Sequence, residues 1–223
     1  KYKYDKNGNL MRKLAKDGGI SWRYLYDAEQ MMTEAQKWPN PTEADKPYPD
    51  TSKLLLRVTF AYDAFGRRVG KAVYEGAYGY TLQENRVFIY DNEDIIAEYV
   101  ENPDPSVYQW TLDRSYLHGP GIDEPIVSQS GSTSEFFHSD ALGSITAVSD
   151  PSAIEKGSAR YSSFGSLSAS ETFTSRYSYT AREGPEESGL YQYRQRYYDS
   201  ATGRFTTGDP IRVDTPSALR GAT

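Results

Sequence analysis

The sequence contains no cysteine. That excludes a disulfide framework, a thiolate zinc site and a cysteine nucleophile. It leaves the compartment open, because bacterial cytoplasm and export without oxidative folding both tolerate such a chain. Histidine is almost as scarce: His118 and His138 are the two copies, far apart in sequence. A metal site needs several ligands at coherent spacing, so no metal and no cofactor are expected. No Gly-x-Ser-x-Gly elbow offers a serine nucleophile, and no Gly-x-x-x-x-Gly-Lys-Ser/Thr loop offers a phosphate cradle. Long apolar runs are missing too, so no membrane-spanning helix is expected. Basic residues number 25 against 31 acidic ones, a net charge of −6. A general nucleic-acid-binding face would need the opposite balance.

Aromatic residues are abundant instead. Hydrophobic residues make up only 37% of the 223, yet 20 Tyr, 8 Phe and 3 Trp are present. Such rings fill an interior while keeping a polar tip, and their number argues against disorder. The chain opens on Lys-Tyr-Lys-Tyr without a Met or a signal peptide, which reads as a fragment of something longer.

The dipeptide Tyr-Asp recurs at Tyr4-Asp5, Tyr26-Asp27, Tyr62-Asp63, Tyr90-Asp91 and Tyr198-Asp199. Gly8 and Gly66 follow three residues after Asp5 and Asp63. Asp favours the first position of a turn and Gly the last, where φ is often positive. Val58, Phe60 and Tyr62 alternate with Thr59, Ala61 and Asp63, which is strand periodicity. Each unit therefore reads as strand, turn, strand. In degenerate copies Gln30 and Asp94 stand where Gly is expected, and Tyr161-Ser162-Ser163-Phe164-Gly165 replaces Asp by Ser. Ala28–Trp38 has a helix-forming composition, but the repeat register predicts a strand through Met31 and Met32. Pro39, Pro41, Pro47 and Pro49 place a surface loop at 39–52, and Asn102-Pro103-Asp104-Pro105 reads as another loop tip. Gly119-Pro120-Gly121 is turn chemistry.

Phe60-Ala61-Tyr62-Asp63-Ala64-Phe65-Gly66-Arg67-Arg68-Val69 resembles the YD repeat of the RHS family. The second half is similar to the RHS repeat-associated core. Tyr116-Leu117-His118-Gly119-Pro120 stands where that core begins, followed by Phe137-His138-Ser139-Asp140-Ala141-Leu142-Gly143-Ser144 and Tyr179-Thr180-Ala181-Arg182-Glu183. Gly189 to Asp199, Gly203-Arg204-Phe205 and Asp209-Pro210 match its end. The resemblance implies an all-β fold: repeats wound into a strand spiral that closes a hollow shell, ended by the core as a cap or plug. It divides the chain into a repeat segment, 1–114, a core, 115–210, and a short tail, 211–223.

The function so implied is that of a container. The chain would be a shell segment of a secreted or surface bacterial protein, cytoplasmic before export, enclosing a C-terminal effector or toxin. Its partners would be the rest of its own shell, that cargo and a delivery machine, with no nucleic acid and no membrane span. A container needs no catalysis. Many RHS cores, however, cut themselves by an aspartyl-protease-like mechanism, in which one carboxyl keeps its proton while the other activates water. Asp199 and Asp209, with Arg196 close by, are the candidates. A third reading, a glycan-binding adhesin module, rests on exposed Tyr. Taken as one strand, Leu190–Asp199 would put Tyr191, Tyr193 and Tyr197 on one face and Arg194, Arg196 and Tyr198 on the other. Tyr4, Asp5, Gly8, Tyr62, Asp63, Gly66, Gly143, Tyr197 and Tyr198 are expected to serve turns and packing. His138 and Asp140 are expected as a strand-end hydrogen-bonded pair.

Overall fold

The computed structural model describes residues 1–76, 81–102, 104, 106–107 and 110–209. Pro103 and Pro105 of the expected loop tip, Pro210 and the 211–223 tail lie outside the described residues. The fold is antiparallel β. Fourteen strands form one sheet in strict sequence order: β1 (Tyr2–Tyr4), β2 (Leu10–Lys13), β3 (Ser21–Tyr26), β4 (Met32–Trp38), β5 (Leu56–Tyr62), β6 (Arg68–Glu75), β7 (Thr81–Asp91), β8 (Asp94–Glu101), β9 (Trp110–His118), β10 (Pro125–Ser130), β11 (Thr133–Ser139), β12 (Ile145–Ser149), β13 (Glu155–Tyr161) and β14 (Leu167–Ala169). A second sheet of β15 (Tyr191–Tyr193), β16 (Arg196–Asp199) and β17 (Arg204–Phe205) follows.

One turn recurs along one rim of the large sheet, and aspartate builds it. Asp63 accepts from the backbone N–H of Phe65 and of Arg67 through the same carboxylate oxygen, at 2.9 and 3.0 Å. Its carbonyl accepts from Gly66 at 3.0 Å, and Gly66 sits at φ +77°. Asp5, Asp27 and Asp140 repeat this pattern after β1, β3 and β11. After β13, Ser162 makes the equivalent bond to Ser166 N–H through its hydroxyl. Gln30, in the degenerate copy, adopts the glycine's conformation at φ +66°. Tyr90-Asp91 departs from the pattern, since Asp91 pairs directly with Asp94 across a two-residue turn with Asn92 at φ +53°. A further copy at Asp150 lies on the opposite rim, with Ala153 at φ +60° in the glycine's place.

The 39–52 stretch differs from the expected bare surface loop. Asn40 caps a one-turn helix α1 (Pro41–Asp45), and Ala44 packs with Leu14, Trp38 and Leu54 in a small core of its own. Pro41 suits a helix's first turn, where its missing N–H has no partner to lose. Leu190–Asp199 is not one strand either. It folds back at Arg194, φ +58°, into the β15–β16 hairpin, pairing Tyr191 with Tyr198 and Tyr193 with Arg196. Directly paired residues share a face. Tyr191, Tyr193, Arg196 and Tyr198 therefore lie together, and Tyr197 moves to the opposite face.

The glycine position fixes one prediction with two opposite signs. A left-handed backbone costs an L-residue about 1–2 kcal/mol. Gly66→Val should lower stability by at least that amount, whereas Ala153→Gly should leave stability unchanged or raise it. Urea denaturation of both variants checks this, and a silent Gly66→Val would contradict the turn.

Candidate functional site

The small sheet and the segment leading into it form a plug against the large sheet. Six of the seven turns on the Tyr-Asp rim touch this C-terminal segment. Leu10 N–H donates to the Thr206 carbonyl at 2.6 Å and Ile145 N–H to that of Ser178 at 2.9 Å. Gln195 Nε2 donates to the Phe65 carbonyl. Arg194 pairs with Glu93 and, with Arg182, holds Asp123. Tyr191 Oη donates to the Gly165 carbonyl at 2.6 Å. A single sheet whose first and last rim turns both meet one small plug must be rolled around it.

The junction is ionic at its centre. Arg68 emerges from the Asp63 turn with its side chain 0% exposed. Its guanidinium donates to Glu183 at 2.5 Å and to both oxygens of Glu186 at 2.9 and 3.0 Å, all on the plug. The pairing also runs the other way: Arg176 of the plug reaches Glu98 of β8 at 3.1 Å as well as Glu183. Lys71 pairs with Glu187 at 2.9 Å. Phe88 lies under both guanidiniums, 5.2 Å from Arg68 and 4.5 Å from Arg176. Burial alone would lower the Arg68 pKa, but Glu183 and Glu186 more than reverse this and keep it charged. Glu84, Arg86, Asp113 and Arg114 share with Arg176 and Glu186 of the cluster the lining of an open hollow of about 310 Å³. The face against the plug is thus mixed, with apolar clusters around Met32 and Val58 and around Phe88 and Val148, and a charged junction at Arg68 and Arg176.

The expected carboxylates take different cationic partners. Asp199 has a side chain only 2% exposed. Its Oδ1 accepts from Lys13 Nζ at 3.0 Å and from Ala201 N–H at 3.1 Å, while Oδ2 has no partner. Asp209 is 57% exposed and lies 3.4 Å from Arg196 Nη1. Arg196 and Asp199 lie on opposite faces of β16. The structure therefore brings together Arg196 and Asp209 and turns Asp199 toward β2. His138 pairs with Ser149 Oγ at 2.8 Å rather than with Asp140, whose carboxylate is used by its turn. His118 donates through Nε2 to the Ile95 carbonyl at 2.9 Å. Tyr193 and Tyr198 pack edge-on against Phe205, and Arg196 lies over that ring at 3.8 Å. Tyr197 contacts Phe60 and joins the Leu190 core under the plug. Among the described residues no cluster of His, Cys, Asp and Glu could hold a metal ion, and no helix is long and apolar enough to cross a membrane.

No protein-family profile matches the chain. It is 28% identical over 211 residues to the tRNA3(Ser)-specific nuclease WapA of Bacillus spizizenii, covering 93% of this chain and 8% of that protein. It is 27% identical over 232 residues to the "Probable deoxyribonuclease RhsA" of Dickeya dadantii, covering 95% of this chain and 14% of that protein. A crystal structure of TcdB2-TccC3-TEV superposes with a TM-score of 0.52 at 15% identity, over 94% of this chain and 14% of that one. The last likeness concerns the fold. The sequence likenesses support an RHS-related family, and the chain spans a small fraction of each relative.

The ionic junction sets a pH dependence. Burial would raise the Glu186 carboxyl, but Arg68 and Lys71 overcome it and hold its pKa down at about 2, against an ordinary value of 4.5. A depressed carboxylate contributes stability that is present above its unfolded pKa and lost as pH falls through its folded one. The urea midpoint should therefore drop between pH 4.5 and 2. The difference curve against Glu186→Gln should carry that drop. Parallel curves for the two proteins would contradict the assignment.

Proposed function

We propose that this chain is a wall segment of an RHS-type shell whose C-terminal part turns inward as a plug, within a larger secreted or surface protein that encloses an effector. The supporting observation is the rolled sheet. Fourteen strands follow one another without a crossover, and the charged hollow lies on the same side of the wall as the plug. Apolar clusters and buried ion pairs together hold the plug, while the charged hollow beside it stays solvated and gives cargo no apolar surface to adhere to. The nuclease activities named for WapA and RhsA belong to whole proteins of which this chain matches 8% and 14%. They suit the role of cargo carried on the same polypeptide.

A second reading, self-cleavage by the core, is favoured by one observation: the pairing of Arg196 with an exposed Asp209. A carboxylate beside a fixed guanidinium, open to solvent, could be positioned on a passing peptide. Asp199 is held by Lys13 in a buried place and fits a structural role better.

One experiment on the full-length protein addresses both readings. Limited proteolysis should leave the enclosed effector intact, and Arg68→Glu, which sets like charges against Glu183 and Glu186, should expose it. An effector equally sensitive in both proteins contradicts the container. Intact-mass measurement of the same samples reads self-cleavage: processing should stop in Asp209→Asn and persist in Asp199→Asn. A full-length mass in the unmutated protein removes the second reading.

A further inference from the structure

The plug begins with a short hairpin. Tyr177 bridges Glu183, Ser178 N–H donates to the Arg182 carbonyl at 2.8 Å, and Gly184 N–H donates to the Arg176 carbonyl at 2.7 Å. Its tip is the turn Tyr179–Arg182, closed by Arg182 N–H on the Tyr179 carbonyl at 3.1 Å. Both central residues are left-handed: Thr180 at φ +51°, ψ +37° and Ala181 at φ +53°. Positive φ at both positions is the signature of a type I′ turn, which calls for Asn-Gly. Thr-Ala is a poor occupant, since a β-branched residue in that region is a true outlier. Thr180 and Ala181 are the only two adjacent left-handed residues among the described residues.

Strain of this kind persists only where the surroundings over-determine it. Here the rim turn after β11 supplies the grip. Thr180 N–H donates to Ser144 Oγ at 3.1 Å, and Ile145 N–H donates to the Ser178 carbonyl at 2.9 Å. On the other side the Thr180 hydroxyl meets Tyr193 Oη of β15 at 2.7 Å. The tip is therefore held between the large sheet and the small one. Ser144 is fully buried, so water does not compete for its hydroxyl while the tip is docked. The arms of the same hairpin carry Arg176 and Glu183, which meet Glu98 and Arg68 of the large sheet. Releasing the tip thus moves the ionic junction with it.

We propose that the Thr180–Ala181 turn is a strained latch. Docked on Ser144 it holds the plug closed; undocked it relaxes, and the plug swings open as a unit while the large sheet stays folded. The strain held in the closed turn is returned on opening, so opening costs less than the plug's contacts alone would require. A turn built for permanence would place Asn-Gly there. The latch rests on the wall-segment reading and adds to it a reversible opening at the plugged rim.

Amide hydrogen exchange of the full-length protein, read by mass spectrometry, tests the latch. Two sets of amides are compared: those of β15 and β16 in the plug, and those of β4 and β5 in the large sheet. The plug amides should exchange faster, through an opening that spares the large sheet. Ala181→Gly relieves the closed turn and should slow exchange in the plug about fivefold, the lower end of the 1–2 kcal/mol that a left-handed backbone costs an L-residue. Ser144→Ala removes the acceptor for Thr180 N–H and should speed it about fivefold, as a lost hydrogen bond of about 1 kcal/mol does. Neither change should alter exchange in β4 and β5. Equal shifts in plug and large sheet overturn the separate opening. Plug exchange unaltered or quickened by Ala181→Gly overturns the release of strain. The wall reading stands or falls separately, on protection of the effector in the full-length protein.

Discussion

A buried guanidinium organises this fold. Arg68 is fully enclosed, and a charge in that position is tolerated only when its partners are in place. Those partners, Glu183 and Glu186, come from a segment more than a hundred residues later in the chain. The sheet must therefore roll far enough to bring β6 against the plug, and the plug must enter in one register. Arg176 and Glu98 impose the same requirement with the charges reversed. A plug with only acidic or only basic contacts could slide. Opposite polarities at neighbouring sites resist that, because any shift places like charges together.

The rim turns supply the second constraint. Asp5, Asp27, Asp63 and Asp140 each satisfy two amides of their own turn, and the hydroxyls of Tyr26, Tyr62, Tyr90 and Tyr161 each satisfy a carbonyl of the hairpin before. The strands are joined covalently by the first device and laterally by the second. That combination lets a single-layer sheet keep its register over the buried cluster of Trp22, Tyr24, Met32 and Val58.

Much of this was legible in the residues. The Tyr-Asp turns, the all-β architecture and the strand through Met32 follow from local chemistry, because a five-residue turn is specified by the residues inside it. The degenerate copies were harder. Gln30 and Ala153 take a backbone conformation that glycine usually holds, and the Asp150 turn gives no sign of itself once the glycine is replaced. The fold-back at Arg194 is invisible for the same reason: arginine at positive φ has no sequence signature, so strand periodicity puts Tyr197 beside Tyr191 and Tyr193 where the hairpin puts Tyr198. The ionic junction could not be read at all. Arg68 looks like any repeat arginine, and Glu183 and Glu186 lie in an irregular segment, where periodicity says nothing about which way a side chain points. The motif draws attention to Asp199, whereas its burial against Lys13 depends on how the plug docks.

The large sheet and the plug are coupled through Arg68. A double-mutant cycle with Arg68→Met and Glu183→Gln, read by urea denaturation, tests it most directly. Residues in one buried network couple by about 0.5–3 kcal/mol, whereas independent sites add within about 0.5 kcal/mol. The account predicts a coupling energy above 1 kcal/mol, on the order of that expected for such a network. Additive effects of the two substitutions would contradict it.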